Sequence, residues 1–446
     1  TLRSSDLSKD ISEALFGDYS DYVGEDGAVH IKADITLSST IDWSGTPASR
    51  KNAVSNFDGI LDGEGHTITI AEGTSWKTPL FINLYGTIRN LKLAGEMTAS
   101  HAATLGAPLV NVVQAGGVVS NVQNYADVTY NTVISATNTN YTALRLGGVA
   151  AYVFGTVQDC ENHGAVTAGG TLVPGTNTTA YVGGVVSAIN TGGLVTRCTN
   201  YGPVTTSLLD RDGNVLTNFY VGGVCGYVNY GSGSWGTINY CYNRAAELEA
   251  GTAYYLGGVV GGARSSGLSQ LHNYCPITAE DDNSATSQMG GVTAFLGAGY
   301  TMSDCTNNAS IYAGGCSQAG GVMCIAYGSM TNCVNNGMLS CADDQLETRL
   351  GGVCCEVKSG ATLTNCRNTA DHVLKTTYYA GVTCLNSGTL DGCSNSGNIS
   401  FGVDYGRLAG VAYDNSGTMT GCSNSGSISC DKENCNMAGV VALNRS

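Results

Sequence analysis

Residues 146–168 read LGGVAAYVFGTVQDCENHGAVTA and contain the unit from which most of the chain is built. The unit opens with an apolar residue and Gly-Gly-Val, and it closes with Cys-x-Asn-x-Gly-x-(Val/Ile). The opening recurs, with Gly or Ala as its first small residue, at Gly147, Gly183, Gly222, Gly257, Gly290, Gly320, Gly351, Ala380, Ala409 and Ala438. The last three intervals are 29 residues and the earlier ones run from 30 to 39. Such a period is typical of a solenoid, whose repeats are stable only when they stack.

The fold class follows from the runs inside each unit. Short stretches of apolar, β-branched residues alternate with Gly and Asn, and helical periodicity is absent. Such runs are typical of parallel strands that are buried. Crossovers between parallel strands of one sheet are almost always right-handed. The sequence therefore predicts an all-β fold, a right-handed parallel β-helix of about twelve rungs.

A column of asparagines supports this register. The closing Asn recurs at Asn124, Asn162, Asn200, Asn243, Asn273, Asn307, Asn335, Asn368, Asn395 and Asn424. Identical amides stacked ~4.8 Å apart can hydrogen-bond along such a column. The Gly that follows two residues later is expected to supply a positive φ.

The cysteines follow the same register. Of the 18 cysteines, eight share one repeat position, namely Cys160, Cys198, Cys241, Cys305, Cys333, Cys366, Cys393 and Cys422. Since Val122 and Leu271 fill that position in other units, an interior ladder of free thiols is favoured over disulfides. Cys324, Cys355 and Cys384 form a second column. The disulfide state of Cys430 and Cys435 is left open, and so many unpaired thiols indicate reducing or anaerobic surroundings.

The sequence predicts two regions. Residues 1–55 are interpreted as an N-terminal cap of the solenoid, with a helix over Asp6–Phe16 and a strand over Val29–Trp43. Residues 56–446 are interpreted as one elongated repeat domain. Because the last half-unit starts at Met437 with no capping element after it, the chain is expected to be truncated at this end.

Charge and hydropathy exclude some classes of protein. A net charge of −15 argues against nucleic-acid binding, which needs clustered Lys and Arg. No apolar run approaches the ~20 residues that span a bilayer. No metal or cofactor is predicted, and the chain is expected to be a monomer.

The paired motifs resemble the GLUG-type repeats of bacterial surface proteins, and residues 57–70, FDGILDGEGHTITI, look like the stretch that precedes such repeats. The resemblance implies a pectin-lyase-like right-handed β-helix, exported to the bacterial cell surface and adhesin-like. GLUG repeats also accompany immunoglobulin A metallopeptidases, whose zinc helix needs HExxH. None of the six histidines begins that motif, so the resemblance carries no catalytic residue to this chain.

The acidic residues are the candidates for a catalytic role. A glycosidase needs two carboxylates at a set separation. The pairs Asp281-Asp282 and Asp343-Asp344 lie among turn formers, which indicates solvated loop charge. The string DGEGH over residues 62–66 and the Asp210-x-Asp212 string are interpreted as tight turns, not as metal sites.

A candidate binding surface is formed by the residue two places before each Gly-Gly-Val or Ala-Gly-Val. Since the neighbouring position is apolar, strand alternation predicts that this column faces outwards. Tyr181, Tyr220 and Tyr255 are expected to stack into an exposed aromatic strip, and cross-strand packing is the alternative interpretation. The column comprises Arg145, Tyr181, Tyr220, Tyr255, Gln288, Gln318, Arg349, Tyr378, Arg407 and Asn436.

These observations favour a secreted or surface adhesin-like protein that binds glycan or a host or matrix protein ligand. The alternatives are a polysaccharide lyase or glycoside hydrolase of the β-helix type, and a purely structural stalk. The sequence favours a non-catalytic role and does not name the ligand.

Overall fold

The structure is a computed structural model that describes most of the chain. The described ranges are 24–37, 54–71, 79–99, 105–133, 143–173, 178–228, 235–265, 267–279, 288–342, 348–374, 378–402, 406–432 and 434–445. Every element in these ranges is a β-strand, and every strand pairing between rungs is parallel. The predicted helix over Asp6–Phe16 lies outside the described residues.

The strands wind into a right-handed parallel β-helix, which confirms the predicted fold class. One complete rung passes in order through four faces, here called sheets I to IV. Sheet II, with one strand per rung, contains 13 strands. At about 4.8 Å per strand this gives a coil roughly 60 Å long, close to the twelve rungs that the repeats predict.

Sheet I ends at the Gly-Gly or Ala-Gly pair. Its eleven strands are Leu105–Gly106, Ala143–Gly147, Thr179–Gly183, Phe219–Gly222, Tyr255–Gly257, Gln288–Gly290, Gln318–Gly320, Arg349–Gly351, Tyr378–Ala380, Arg407–Ala409 and Asn436–Ala438.

Sheet II begins directly after the bend at these small residues. Its strands are Val54–Phe57, Phe81–Leu84, Val110–Val113, Ala150–Val153, Val186–Ile189, Cys225–Val228, Val260–Ala263, Thr293–Leu296, Met323–Ala326, Cys354–Val357, Thr383–Asn386, Ala412–Asn415 and Val441–Asn444.

Sheet III carries the closing motif, usually as two short strands per rung. Its 22 strands are Ala28–His30, Ile35–Leu37, Ile60–Asp62, Thr67–Ile70, Thr87–Ala94, Val118–Asn124, Thr156–Gln158, Glu161–Asn162, Leu194–Thr196, Thr199–Asn200, Thr237–Asn243, Leu268–Asn273, Thr301–Ser303, Thr306–Asn307, Ser329–Thr331, Val334–Asn335, Thr362–Thr364, Arg367–Asn368, Thr389–Asp391, Ser394–Asn395, Thr418–Thr420 and Ser423–Asn424.

Sheet IV follows the Asn-x-Gly turn and is divided into a nine-stranded and a three-stranded part. Its strands are Glu96–Ala99, Asp127–Thr132, Val166–Leu172, Val204–Thr206, Leu209–Asp210, Leu248–Ala250, Ile277–Ala279, Ile311–Tyr312, Leu339–Ser340, His372–Leu374, Ile399–Phe401 and Ile428–Cys430.

The first described strands belong to the coil itself. Ala28–His30 and Ile35–Leu37 pair in parallel with Ile60–Asp62 and Thr67–Ile70 of the next rung. The predicted strand over Val29–Trp43 is therefore a piece of sheet III wherever it is described. A boundary between cap and repeats at residue 55 stays a prediction.

The predicted amide ladder is present and buried. From Asn124 to Asn424, the Nδ2 of each asparagine donates to the Oδ1 of the asparagine in the next rung, at 2.7–3.4 Å. The members from Asn124 to Asn395 are at most 1% exposed. In most rungs Nδ2 also donates to the backbone carbonyl two residues later, as at Asn335, 2.8 Å from Gly337 O. Buried amides thus find their partners within the column.

The second Gly of each Gly-Gly-Val packs against this ladder across the interior of the coil. A Cβ added at Gly148 would lie 2.2 Å from Asn162 Oδ1, and one at Gly321 would lie 2.4 Å from Asn335 Cγ. These glycines have ordinary backbone angles. Glycine occupies these positions because of the close approach to the ladder, not because of a special φ.

The expectation that the Gly of Asn-x-Gly supplies a positive φ was wrong. A Cβ at Gly337 would lie 1.8 Å from Ala309 O of the preceding rung, so this Gly also serves a close approach. The left-handed conformation is found instead at the residue before the ladder Cys, for example at Asp159 and Asn332, with φ of 54° and 56°. This residue makes the bend between the two strands of sheet III, and Asn and Asp tolerate it best.

The cysteine ladder is interior, as predicted. Its members from Cys160 to Cys393 are fully buried, and Cys422 is half-buried in the last rungs. Sixteen cysteines are free and Cys430 is joined to Cys435 by a disulfide, which together account for all 18.

We expect Asn335→Ala to lower the free energy of unfolding by about 3 kcal/mol, because it leaves buried amide and backbone groups without partners. Asn335 accepts from Asn307 Nδ2 at 2.9 Å and donates to Asn368 Oδ1 at 2.8 Å. The control is Asn336→Ala at the neighbouring exposed position, which should change stability by less than about 1 kcal/mol. Urea denaturation of both variants measures the difference. Equal losses of stability in the two variants would show that a buried ladder asparagine stabilises the fold no more than an exposed one.

Candidate functional site

The structure places the whole predicted binding column in one register. Paired neighbours run without a break from Arg145 to Asn436 along sheet I. The side chains point away from the central core and pack into a second, separate apolar cluster. This column is here called the first wall.

A second wall faces it across the Gly-Gly bend. It is formed by the third residue after the Val of each Gly-Gly-Val, on sheet II. The residues are Tyr152, Ala188, Tyr227, Gly262, Phe295, Ile325, Glu356, Leu385, Asp414 and Leu443. The two walls enclose a groove that follows the coil.

The base of the groove is built by the position next to the second wall. Ser187 Oγ donates to Tyr181 O at 2.9 Å, and Cys355 Sγ donates to Arg349 O at 3.2 Å. The second cysteine column, Cys324, Cys355 and Cys384, therefore lies beneath the groove and not in the central core.

In its N-terminal part the groove is aromatic. Tyr220 stacks on Tyr255 with ring centroids 4.6 Å apart, and it lies 4.6 Å from Tyr227 across the groove. Tyr181 contacts the same Tyr227 at 5.0 Å. The guanidinium of Arg145 covers the Tyr181 ring at 4.1 Å. We call these rungs the aromatic section.

The expectation of an exposed tyrosine strip was wrong for two of its three members. Tyr181 and Tyr220 are only 9% and 7% exposed, whereas Tyr255 is half-buried. The cause is the bend at the glycines, which folds sheet II against sheet I so that Tyr227 and Phe295 cover the rings. In this part of the column, cross-strand packing accounts for the tyrosines.

Further along, the groove becomes charged. Arg349, Tyr378 and Arg407 are consecutive on the first wall, and both guanidiniums lie over the Tyr378 ring, at 6.0 and 4.8 Å from its centroid. Arg407 also donates to the Tyr378 hydroxyl. Glu356 and Asp414 stand on the second wall. We call these rungs the charged section.

Two cavities open from the groove. The larger, of about 270 Å³, lies where the two sections meet and is lined by Tyr255, Arg264, Gln288, Phe295, Gly297, Ala298 and Tyr327. The smaller, of about 230 Å³, lies in the charged section and is lined by Glu356, Leu385, Asn386, Ser387, Asp414, Ser416 and Arg445. Phe295, which lines the first cavity, packs directly over Gly262: a Cβ there would lie 2.5 Å from the Phe295 ring.

Burial governs the ionisation of the groove phenols. Burial raises the pKa of Tyr255 to about 12, against the opposing charge of Arg264. It also raises the pKa of Tyr181 and of Tyr220. At neutral pH these hydroxyls are therefore neutral and available as hydrogen-bond donors and acceptors.

A second aromatic column lies on the outer surface of sheet III, where the sequence predicted no site. His163 is sandwiched between Tyr125 and Tyr201, with ring centroids 4.5 and 4.8 Å apart and planes within 12°. Its Nε2 lies 2.8 Å from Glu161 Oε2. The rings stack along the coil axis, so they present edges to the solvent and not faces.

The structure describes only some of the acidic candidates. Asp281-Asp282 and Asp343-Asp344 lie outside the described residues. The tight-turn interpretations are confirmed: Asp62 Oδ1 accepts from Glu64 N at 3.0 Å, and Asp210 Oδ1 accepts from Asp212 N at 2.9 Å. In the part of the chain that the structure describes, His, Cys, Asp and Glu form no group of three suited to a metal ion.

Sequence reasoning found the first wall and missed the second wall and the cavity residues Arg264 and Tyr327. A signal existed, since Tyr152, Tyr227 and Phe295 all stand three residues after the repeat Val. It could be interpreted only with the knowledge that the chain bends back at Gly-Gly.

Comparisons with known proteins identify no family. No protein-family model matches the chain, and no curated protein does. Among solved structures, the chain is similar to a Bacteroides ovatus protein provisionally described as an immunoglobulin A1 protease. That likeness has 15% identity and a TM-score of 0.30, and it covers 78% of this chain and 70% of the other. It is too weak to carry a functional argument, and the GLUG likeness stays a resemblance.

The described ranges also contain no helix with the length and apolar character needed to cross a membrane.

We expect the free cysteines to be unreactive towards thiol reagents in the native protein. Burial raises the pKa of Cys225 and of Cys316 to about 12, and a buried thiol is inert. With Ellman's reagent at pH 8, no more than one thiol, Cys422, should react before unfolding, and sixteen should react in denaturant. Rapid native labelling of several cysteines would show that the rungs open.

Stability should fall at alkaline pH because of the groove tyrosines. The unfolded chain releases phenol protons near pH 10, whereas the folded chain holds that of Tyr255 until about pH 12. The stability contribution is therefore intact below pH 10 and lost between pH 10 and 12. Urea midpoints at pH 8, 10 and 11 measure it. Tyr255→Phe should flatten the decline, and Tyr274→Phe on sheet III is the control.

Proposed function

We propose that the protein is a rigid, adhesin-like rod that binds an extended glycan chain along the groove. The observation that carries this proposal is the 270 Å³ cavity at the junction of the two sections. It brings together aromatic rings, the Arg264 guanidinium and the Gln288 amide. Apolar ring surfaces with a few convergent polar groups are what a small-molecule or sugar site needs.

The chemistry of the cavity fits a sugar ring. Tyr255 and Phe295 lie 5.0 Å apart at a tilt of 55° and form an apolar corner. Tyr327, which is 43% exposed, stands at the rim. The C–H face of a pyranose can pack on such rings, while its hydroxyls bond to the guanidinium and the amide.

The groove fits a polymer better than an isolated sugar. From the cavity it continues into the charged section, where the second cavity opens from it. From Phe295 to Leu385 the second wall advances three rungs, about 14 Å, so the two cavities can contact different sugars of one chain.

Binding is favoured over cleavage by the state of the groove carboxylates. Glu356 is held by Lys358 at 2.5 Å, and Asp414 is held by Arg445 at 2.7 Å. Both described carboxylates of the second wall are therefore engaged in ion pairs, whereas a glycosidase needs two carboxylates that face the scissile bond. Export to a bacterial surface is supported by the resemblance of the repeats.

The test is calorimetric titration with neutral and acidic oligosaccharides of about ten sugars. Tyr327→Ala should weaken binding of the best ligand about tenfold, which is ~1.4 kcal/mol. The matched control is Tyr274→Ala, because Tyr274 is also 43% exposed but lies on sheet III. Its affinity should be that of the wild type.

Two results would contradict the proposal. Absence of binding to every oligosaccharide, by a protein that melts cooperatively, would leave a structural stalk. New reducing ends that accumulate with time would favour the glycoside hydrolase or lyase.

A further inference from the structure

We propose that Arg349, Tyr378 and Arg407 form an anion clamp in the charged section of the groove, which selects glycans with a negative charge on every second sugar. This inference rests on the proposed function and adds the chemical class of the ligand. Nothing in the repeat itself requires arginine at these positions, since the same column holds Tyr, Gln and Asn elsewhere.

The geometry of the clamp is fixed by the coil. Arg349 pairs in register with Tyr378, and Tyr378 pairs with Arg407. The two arginines are therefore two rungs apart, about 10 Å. Both are exposed, while Tyr378 between them is half-buried and packs edge-on against the buried Tyr413 at 5.6 Å. The ring holds the two guanidiniums on opposite sides of a supported platform.

The local charge balance leaves the clamp positive. On the described strands of this section, the carboxylates Glu356 and Asp414 are each paired with their own cation, Lys358 and Arg445. Arg349 and Arg407 remain, so four cations face two anions and the net charge is +2. In a chain of net charge −15, such a surplus on the described strands of this section is a local feature with its own explanation.

The spacing of the two arginines gives the ligand pattern. Each sugar of an extended β-linked chain advances by roughly one rung, so two rungs correspond to a disaccharide. Guanidinium groups recognise carboxylate and sulfate through paired N–H donors. A charge on every second sugar would meet Arg349 and Arg407 in turn, and the neutral sugar between would pass the exposed edge of the Tyr378 ring.

The clamp also joins the cavity on the same wall. Gln288, Gln318 and Arg349 are consecutive in register. A chain held at the cavity by one sugar therefore reaches the clamp two rungs later.

The experiment compares three probes of equal length by calorimetry, using the full chain. The probes are a hyaluronan decasaccharide, with a carboxylate on alternate sugars, an oligogalacturonate, with one on every sugar, and a neutral cello-oligosaccharide. We expect the hyaluronan probe to bind at least ten times more tightly than the neutral one. The double variant Arg349→Gln, Arg407→Gln should lose that advantage.

The matched control is Arg367→Gln. Arg367 is exposed in the same part of the coil but lies on sheet III, so its loss removes one positive charge, as Arg349→Gln alone does, and leaves the groove intact. Its hyaluronan affinity should stay within twofold of the wild type. Circular dichroism and melting temperature check that all variants are folded.

The outcomes separate this inference from the proposed function. Equal affinity for neutral and hyaluronan probes, unchanged by the double variant, would overturn the clamp and leave glycan binding standing. Oligogalacturonate binding as tightly as hyaluronan would overturn the alternate-sugar pattern. A loss of hyaluronan affinity with Arg367→Gln equal to that with Arg349→Gln alone would reduce the effect to net charge. Failure of every probe would overturn the proposed function and the clamp together.

Discussion

The close contact between the buried asparagine ladder and the second glycine of Gly-Gly-Val is the constraint on which the rest of the structure depends. It joins two bends of each rung across the interior, with a virtual Cβ at Gly184 only 2.3 Å from Asn200 Cγ. Any larger residue would push the bends apart, and the amides would lose their register from rung to rung. The same contact draws the Gly-Gly bend inwards, so the outer surface at that bend is concave. The groove is therefore a consequence of how the core is packed.

This origin explains why the first wall is partly buried. In an open sheet, an outward column that alternates with core residues faces the solvent. Here the strand after Gly-Gly turns back, so the second wall covers the first wherever both carry large rings, as Tyr220 and Tyr227 do. Where the second wall carries Gly262, the Phe295 and Tyr220 rings close over it. The depth of the groove thus varies along the coil with the size of one side chain per wall.

Much of the fold could be predicted because the repeat displays its own register. The positions of Asn335 and Cys333 in the interior follow from the recurrence of their columns alone, and the structure places both there. The positive φ before the ladder cysteine could not be predicted in this way, since residues as different as Asp159 and Tyr240 adopt it. Candidate residues on the first wall were found from alternation. The burial of these residues could not be predicted from alternation, because it depends on the angle between two sheets. No single strand encodes that angle.

A regular coil also separates stability from recognition. The ladder, the glycines and the apolar interior repeat with little change, whereas the groove walls change from aromatic around Tyr220 to charged around Tyr378. Because wall residues contribute little to the central core, they can be exchanged without disturbing the Asn–Gly contact. Under the proposed function, the order of side chains along two columns determines what the groove binds, and the rung spacing determines how far apart its contacts lie. A ligand that fits such a groove is one whose own repeat is commensurate with the rungs, which is a property of extended polymers and not of compact molecules.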